Sequence, residues 1–180
     1  MNRASHRLPP WRWIVGLMLL FGAWEAASQE MDTVITTQEG NQLRIFQDTA
    51  YTIDRFMEDD AMFVMTPKEG AALAHATITR ASETIHFYAK KITYYPKRDD
   101  FLLEEEARIE GENNQVTAPQ SIQFEAAKNQ MVVEGTEQTP AMFTYNFGDG
   151  RRMKSYARRF DFYFVMVEGA RKLNKIESKP

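Results

Sequence analysis

The sequence predicts an all-β domain built from stacked strand-turn-strand repeats, and three observations carry that expectation. Short apolar runs alternate with period two, turn-forming residues separate them, and one segment recurs in register further along the chain. After Ser28 no interval keeps a 3.6-residue apolar period with helix caps at both ends.

The chain has 180 residues, and its beginning reads as a targeting segment outside that domain. Arg3, Arg7 and Arg12 form a basic start, Trp13 to Trp24 is an uncharged apolar run, and Ala26, Ala27 and Ser28 supply the small residues at which a signal peptidase cuts. The run is 24 − 13 + 1 = 12 residues long, short of the roughly 20 that cross a bilayer as a helix. Residues 1–28 are therefore expected to be a signal peptide cleaved between Ser28 and Gln29, with retention as a membrane anchor the alternative. Residues 29–180 are expected to form one domain, long enough to bury a core. With no cysteine, that core holds without disulfides, and metal sites built on thiolates are excluded.

Within the domain, residues 33–73 have the weakest pattern, and Tyr51 to Phe56 fits either a strand or the start of a short helix. Ile85 to Ala89 and Ile92 to Tyr94 are strand runs, followed by a turn from Pro96 to Asp100. Phe101, Leu103, Ala107 and Ile109 share one parity, with Glu104, Glu106 and Arg108 on the other, so Phe101 to Ile109 reads as one half-buried strand. Glu105 is the one misfit on the inner parity. Val116 to Ala118, Ile122 to Phe124 and Met131 to Val133 are further short strands. Phe143 to Phe147 runs into Gly148, Asp149 and Gly150, a hairpin signal whose return is expected through Phe160 to Val167. That last run is apolar on both parities. It is expected to be covered on both faces, or to form an edge that pairs with another chain.

The repetition is visible residue by residue. From Ile92 to Ile122 is 122 − 92 = 30 positions, and the same offset maps Tyr94 onto Phe124, Asp99 onto Asn129, Phe101 onto Met131, Leu103 onto Val133 and Glu104 onto Glu134. A third copy starts at Ala157 to Phe162 and is expected to run, through a shortened connection, into a second strand at Val165 to Gly169. Each unit is too small to bury its own apolar face, so neighbouring units must share one core.

The segments Leu102 to Gly111, Val116 to Ala118, Ile122 to Glu125 and Asn129 to Gly135 resemble the repeat of the OstA/LptA family, most clearly over residues 85–135. Thr33 to Thr36, followed by Glu39 and Gly40, is similar to that family's entry strand, while Glu105 stands where the repeat usually has glycine. The resemblance implies an OstA-like β-jellyroll, two antiparallel sheets in a twisted V, in a periplasmic protein of lipopolysaccharide transport and outer-membrane assembly. It implies lipopolysaccharide or a related lipid as partner, held by its acyl chains between the sheets. It further implies pairing with other envelope transport proteins, or with further copies end to end, through edge strands. On this reading the lipid-lining candidates are Ile92, Tyr94, Phe101, Leu103, Ile122, Phe124, Met131, Val133, Phe160, Phe162 and Phe164. A filled sandwich core would use the same residues. The alternatives are an LptC-like protein anchored in the inner membrane and a structural or interaction module of the envelope that binds no lipid.

Charge separates the ends of the domain. Residues 29–150 hold 21 acidic and 10 basic side chains, a balance of −11, whereas residues 151–180 hold 3 acidic and 9 basic, a balance of +6. Arg151, Arg152, Arg158 and Arg159 are the candidates for a lipid phosphate or headgroup, with a solvated edge the competing explanation. No nucleic-acid partner, cofactor or metal is expected. His75 and His86 stand eleven positions apart on separate strand runs, and none of the motifs of a serine nucleophile or a zinc protease occurs, so no catalysis is expected either. Glu58, Asp59 and Asp60, and Glu104, Glu105 and Glu106, lack the ligand spacing of a calcium loop and are expected to be solvated.

Overall fold

The computed structural model describes residues 32–36, 41–55, 61–80, 83–168 and 170–180, which belong to one compact unit, Asp32–Pro180. The expected signal peptide and its Ser28–Gln29 bond lie outside the described residues. Strands pair in sequence as hairpins: β1 (Thr33–Thr36) with β2 (Gln42–Ile45), β3 (Thr49–Arg55) with β4 (Ala61–Pro67), β5 (Ala74–Arg80) with β6 (Glu83–Ala89), and β7 (Lys91–Tyr95) with β8 (Asp100–Glu104). The series continues with β9 (Ala107–Glu110) and β10 (Asn114–Ala118), β11 (Ser121–Glu125) and β12 (Gln130–Glu134), β13 (Ala141–Asn146) and β14 (Arg152–Ala157), and β15 (Arg159–Val167) and β16 (Ala170–Lys179). One 3₁₀ turn, Ala126–Lys128, is the helical element among the described residues. No helix among them is long and apolar enough to cross a membrane.

Successive hairpins go to alternate sheets. The first sheet runs β1-β2-β5-β6-β9-β10-β13-β14 and the second β16-β15-β12-β11-β8-β7-β4-β3, all neighbours antiparallel. The result is an open two-sheet sandwich of the jellyroll type, as the sequence predicts, with β1 and β14 as edges of one sheet and β3 and β16 as edges of the other. The thirty-residue repeat is therefore two hairpins, one in each sheet.

This winding gives the sandwich two unlike long sides. Among the described residues the crossovers between the sheets lie on one side, the seam, and the hairpin turns at 96–99, 111–113, 126–129 and 147–151 lie on the other, the mouth. Side chains grow from seam to mouth. At the seam, three hairpins of the first sheet place alanine opposite alanine: Ala74 with Ala89, Ala107 with Ala118, and Ala141 with Ala157. In the second sheet a row of Met65, Ile92, Leu103, Ile122, Val133 and Phe160 lies next to the seam, each residue directly across from the next. One step toward the mouth, the matching row is Phe63, Tyr94, Phe101, Phe124, Met131 and Phe162. Because interiors pack to crystal-like density, a wedge of small-to-large side chains holds two sheets close at one side and further apart at the other. Exposure follows the wedge in four of the six strands: Met65, Leu103, Ile122 and Val133 are at 0%, while Phe63, Phe101, Phe124 and Met131 keep between 5% and 8%; Tyr94 and Phe162 stay sealed at 1% and 2%.

Several sequence expectations need correction. Phe101 to Ile109 is two strands in different sheets, β8 and β9, joined at Glu105 and Glu106. Both glutamates have positive φ (60° and 52°) and point to solvent. Two residues turned this way carry the chain across the seam while preserving the count of inward positions, so the alternation continues as though unbroken. Glutamate thus adopts a left-handed conformation at both positions, at a steric cost of about 1 kcal/mol or more each. The return of the 148–150 hairpin is β14, in the same sheet as β13, and β15 lies in the other sheet. The third repeat copy does not turn at Val165: β15 is continuous to Val167, and its partner is β16. As far as Tyr163, β15 is not an edge, since it lies between β12 and β16; beyond Phe164 it pairs with β16 alone and its other side is open, and Val165, Met166 and Val167 are exposed, so the run is not covered on both faces along its length. Tyr51 falls in strand β3, not in a helix.

Candidate functional site

The mouth holds a cleft of about 140 Å³ between the sheets. Its apolar wall is Ile85 and Ile109 from the first sheet and Phe101, Phe124, Met131 and Phe164 from the second. Phe101 stacks at 5.2 Å on Phe124, its direct cross-strand partner, and Phe164 meets Phe124 edge-on at 6.0 Å. On the core side Phe87 tilts against Phe101 at 4.7 Å. These contacts fix the aromatic wall in the offset and edge geometries that ring quadrupoles favour.

The rim is polar. Asp99 ends the β7–β8 turn with φ 55°, a conformation aspartate tolerates better than most residues, and it is 1% exposed. Its carboxylate accepts from Tyr94 Oη at 3.2 Å, from Arg80 Nη2 at 2.5 Å and from Arg171 Nη1 at 3.0 Å. Arg80 comes from the first sheet and Arg171 from the last strand of the second, so one buried carboxylate ties the two sheets across the opening. Arg171 also donates from Nε to Asn129 Oδ1 at 3.4 Å, and its guanidinium lies 5.1 Å over the Phe124 ring. Asn129 is the repeat equivalent of Asp99 and shares its left-handed turn, with φ 48°.

The structure divides the residues expected to line a lipid site. Phe101, Phe124, Met131 and Phe164 line the cleft, while Ile92, Tyr94, Leu103, Ile122, Val133, Phe160 and Phe162 are sealed in the filled core. The four headgroup candidates are divided too, and none of them lines the cleft. Arg151 and Arg152 stand at the β13–β14 turn, where Arg151 pairs with Asp149 at 2.6 Å and Arg152 donates to Asn146 at 2.9 Å. Arg158 and Arg159 lie at the opposite end of β14, beside the seam, with Lys179 in a polar hollow of about 310 Å³. There Arg158 pairs with Glu137 at 3.0 Å, Arg159 with Glu134 at 3.2 Å and with Asp161 at 2.8 Å, and Lys179 with Asp161 at 2.6 Å. Burial alone would raise the Asp161 carboxyl, but hydrogen bonds from Arg159 and Lys179 outweigh it and hold the group below the usual carboxylate range. Each of the three bases at this hollow is thus already paired with an acidic side chain, Glu137, Glu134 or Asp161.

Sequence reading did not single out Arg80, Asp99 or Arg171. The available signal was the alignment of Asp99 with Asn129, two residue types suited to left-handed turns. It also did not bring the histidines together. His75 Nε2 and His86 Nδ1 are 3.3 Å apart on the outer face of the first sheet, and His75 is sandwiched between Phe46 at 3.8 Å and Tyr88 at 4.4 Å. Burial first, and His86 second, lower the His75 pKa below 6.5. Among the described residues no group of three or more His, Cys, Asp or Glu side chains is placed to hold a metal. No protein family, curated protein or solved structure matches this chain.

Proposed function

We propose that this chain is a periplasmic lipid-binding protein that takes up acyl chains of lipopolysaccharide or a related lipid at the mouth of its sandwich and hands them on toward the outer membrane. The observation that carries the reading is the apolar cleft at the mouth of the sandwich, walled by Phe101, Phe124, Met131 and Phe164 and rimmed by Arg80, Glu83, Asn114 and Arg171. The resemblance of residues 85–135 to the OstA/LptA repeat and the signal-like start of the chain supply the compartment and the lipid. Edge strands β3 and β14 carry exposed Tyr51, Ile53, Met153 and Tyr156, which suits pairing with a neighbouring envelope protein or a second copy.

Magnitudes limit what the closed cleft holds. Its volume is close to that of an engineered apolar cavity of about 150 Å³ that binds benzene, so it admits the end of one acyl chain. Five or six methylenes at about 0.8 kcal/mol each give roughly 4 to 5 kcal/mol, enough for a weak, reversible hold. A multi-chain lipid requires the sheets to part at the mouth, which the one-sided wedge permits because the crossovers among the described residues lie at the seam.

The test is purification of the mature protein from the envelope under mild conditions, with mass spectrometry of whatever lipid accompanies it and titration of the stripped protein with lipopolysaccharide. Saturable binding is expected. A stripped protein that binds neither lipopolysaccharide nor a hydrophobic dye would overturn the proposal and favour an envelope interaction module with a filled core.

A further inference from the structure

The hairpin of β15 and β16 extends past the sheet that supports it. Pairing of β15 with β12 ends at Tyr163 opposite Gln130, with one further bond from Phe164 N to Asn129 O at 2.9 Å. A register shift between Tyr163 and Phe164 marks the departure, and beyond it Phe164 to Val167 pair with β16 alone. On these projecting arms Phe164 and Arg171 face the cleft, whereas Val165, Met166, Val167 and Leu173 are exposed. The arms therefore lie beside the cleft and are joined to its rim through Arg171.

Two guanidiniums share one carboxylate there, and they are not equivalent. Arg80 sits on a strand held on both sides in the first sheet, and its Nε is buried without a hydrogen-bond partner among the described residues. Arg171 sits on the outermost strand of the second sheet, on the part that projects. If Arg171 moves away, Asp99 keeps Arg80 and Tyr94, so no buried charge is stranded. Glu83, the cross-strand neighbour of Arg80, also lines the cleft but is exposed and screened by solvent, so the two acids and two arginines of the rim balance formally while Glu83 is the most exposed of the four charges.

We propose that Arg171 is the headgroup ligand of this cleft: an amphiphile enters chain-first between the sheets, and its anionic group, a phosphate or a carboxylate, takes the Arg171 guanidinium from Asp99 while Arg80 keeps the carboxylate neutralised. This rests on the lipid-binding reading above and names the chemistry at its rim. A guanidinium suits the role because its fixed fork meets an oxyanion with two parallel hydrogen bonds. Movement of Arg171 also uncovers the Phe124 ring face that it now occupies, so head recognition and access to the aromatic wall are one event.

The experiment is calorimetric titration of the full mature chain with dodecyl phosphate, dodecanoate and dodecanol, in wild type, Arg171→Gln, Arg171→Lys and Asp99→Asn, with thermal melts to confirm folding. Wild type is expected to prefer both anions over the alcohol. Arg171→Gln loses that preference, about tenfold in affinity for the anions with no matching loss for the alcohol, and Arg171→Lys keeps part of it. Asp99→Asn, which retains a residue tolerant of the turn, strengthens anion binding by releasing the guanidinium. A stronger response to the phosphate than to dodecanoate would identify a lipid phosphate as the source, and the reverse a fatty-acid head. Binding with no head preference in wild type, or an equal loss for anions and alcohol in Arg171→Gln, would overturn the assignment of Arg171 while leaving the lipid reading intact. Binding of none of the three by folded wild type would remove both.

Discussion

Seam and mouth are the two sides of one repeat, and the same strands supply both. At the seam most strands contribute alanine or an aliphatic side chain, Phe160 being the exception, and the chain crosses between sheets there in a few residues. At the mouth the same strands, two residues further along, contribute mostly larger side chains, many of them aromatic, and no crossover links the sheets; the polar link across the opening passes through Arg80 and Asp99. Filling and closure therefore decline together along one direction. The lesson is that a difference in side-chain volume between successive inward positions is enough to place a cleft, without any residue dedicated to making one.

The largest expected contrast comes from emptying the two sides. Leu103→Ala removes a sealed seam residue and should cost about 3 kcal/mol in urea denaturation, whereas Phe164→Ala, on a half-buried cleft residue, should cost about 1 kcal/mol despite the larger change in volume. Equal losses would break the comparison. Glycines sharpen it next. A Cβ on Gly135, at the seam crossover, would stand 2.3 Å from Ala141 N and 2.7 Å from Pro140 C, so Gly135→Ala must displace backbone and should cost about 1 to 3 kcal/mol. Gly148, at a mouth-side turn, has nothing within 4 Å of that position, and Gly148→Ala should stay within about 0.5 kcal/mol.

A smaller effect concerns protons. His75 follows Ala74 at the start of β5, on the seam side, and burial, with His86 and Arg108, lowers its pKa from 6.5 against the opposing pull of Asp48 and Asp32. The unfolded chain then binds a proton at a higher pH than the folded one, so this contribution to stability is complete above 6.5 and is lost as pH falls through the lowered folded value. The melting temperature should drop between about pH 7.5 and about pH 5.5 by more in wild type than in His75→Gln. The smallest change is expected from Arg151→Gln with Arg152→Gln. These exposed side chains, paired with Asp149 and Asn146 away from the cleft, should alter lipid affinity less than Arg171→Gln does.

How much of this was legible in the sequence differs by feature. The inward rows of β8 to β12 were, because period two survives those strands and the thirty-residue offset keeps Ile92 over Ile122 and Leu103 over Val133. The break at Glu105 and Glu106 was hidden, since two left-handed residues cross the seam without disturbing parity. Strands β14 and β16 read as a basic block because they are edges, and an edge strand is held by backbone pairing while its side chains face water. The apolar wall of the cleft could be read, but the rim could not: Arg171 reaches Asp99 across 72 positions, and no local pattern encodes such a pair.

On the proposed function, ligand enters at the mouth and not along the whole sandwich. A photo-crosslinking amino acid placed singly at Phe124 and at Leu103, with the folded protein then exposed to lipopolysaccharide under light, tests this most directly. Crosslinking at 124 and none above background at 103 is the predicted result. Equal crosslinking at both positions, or crosslinking at 103 alone, would contradict it.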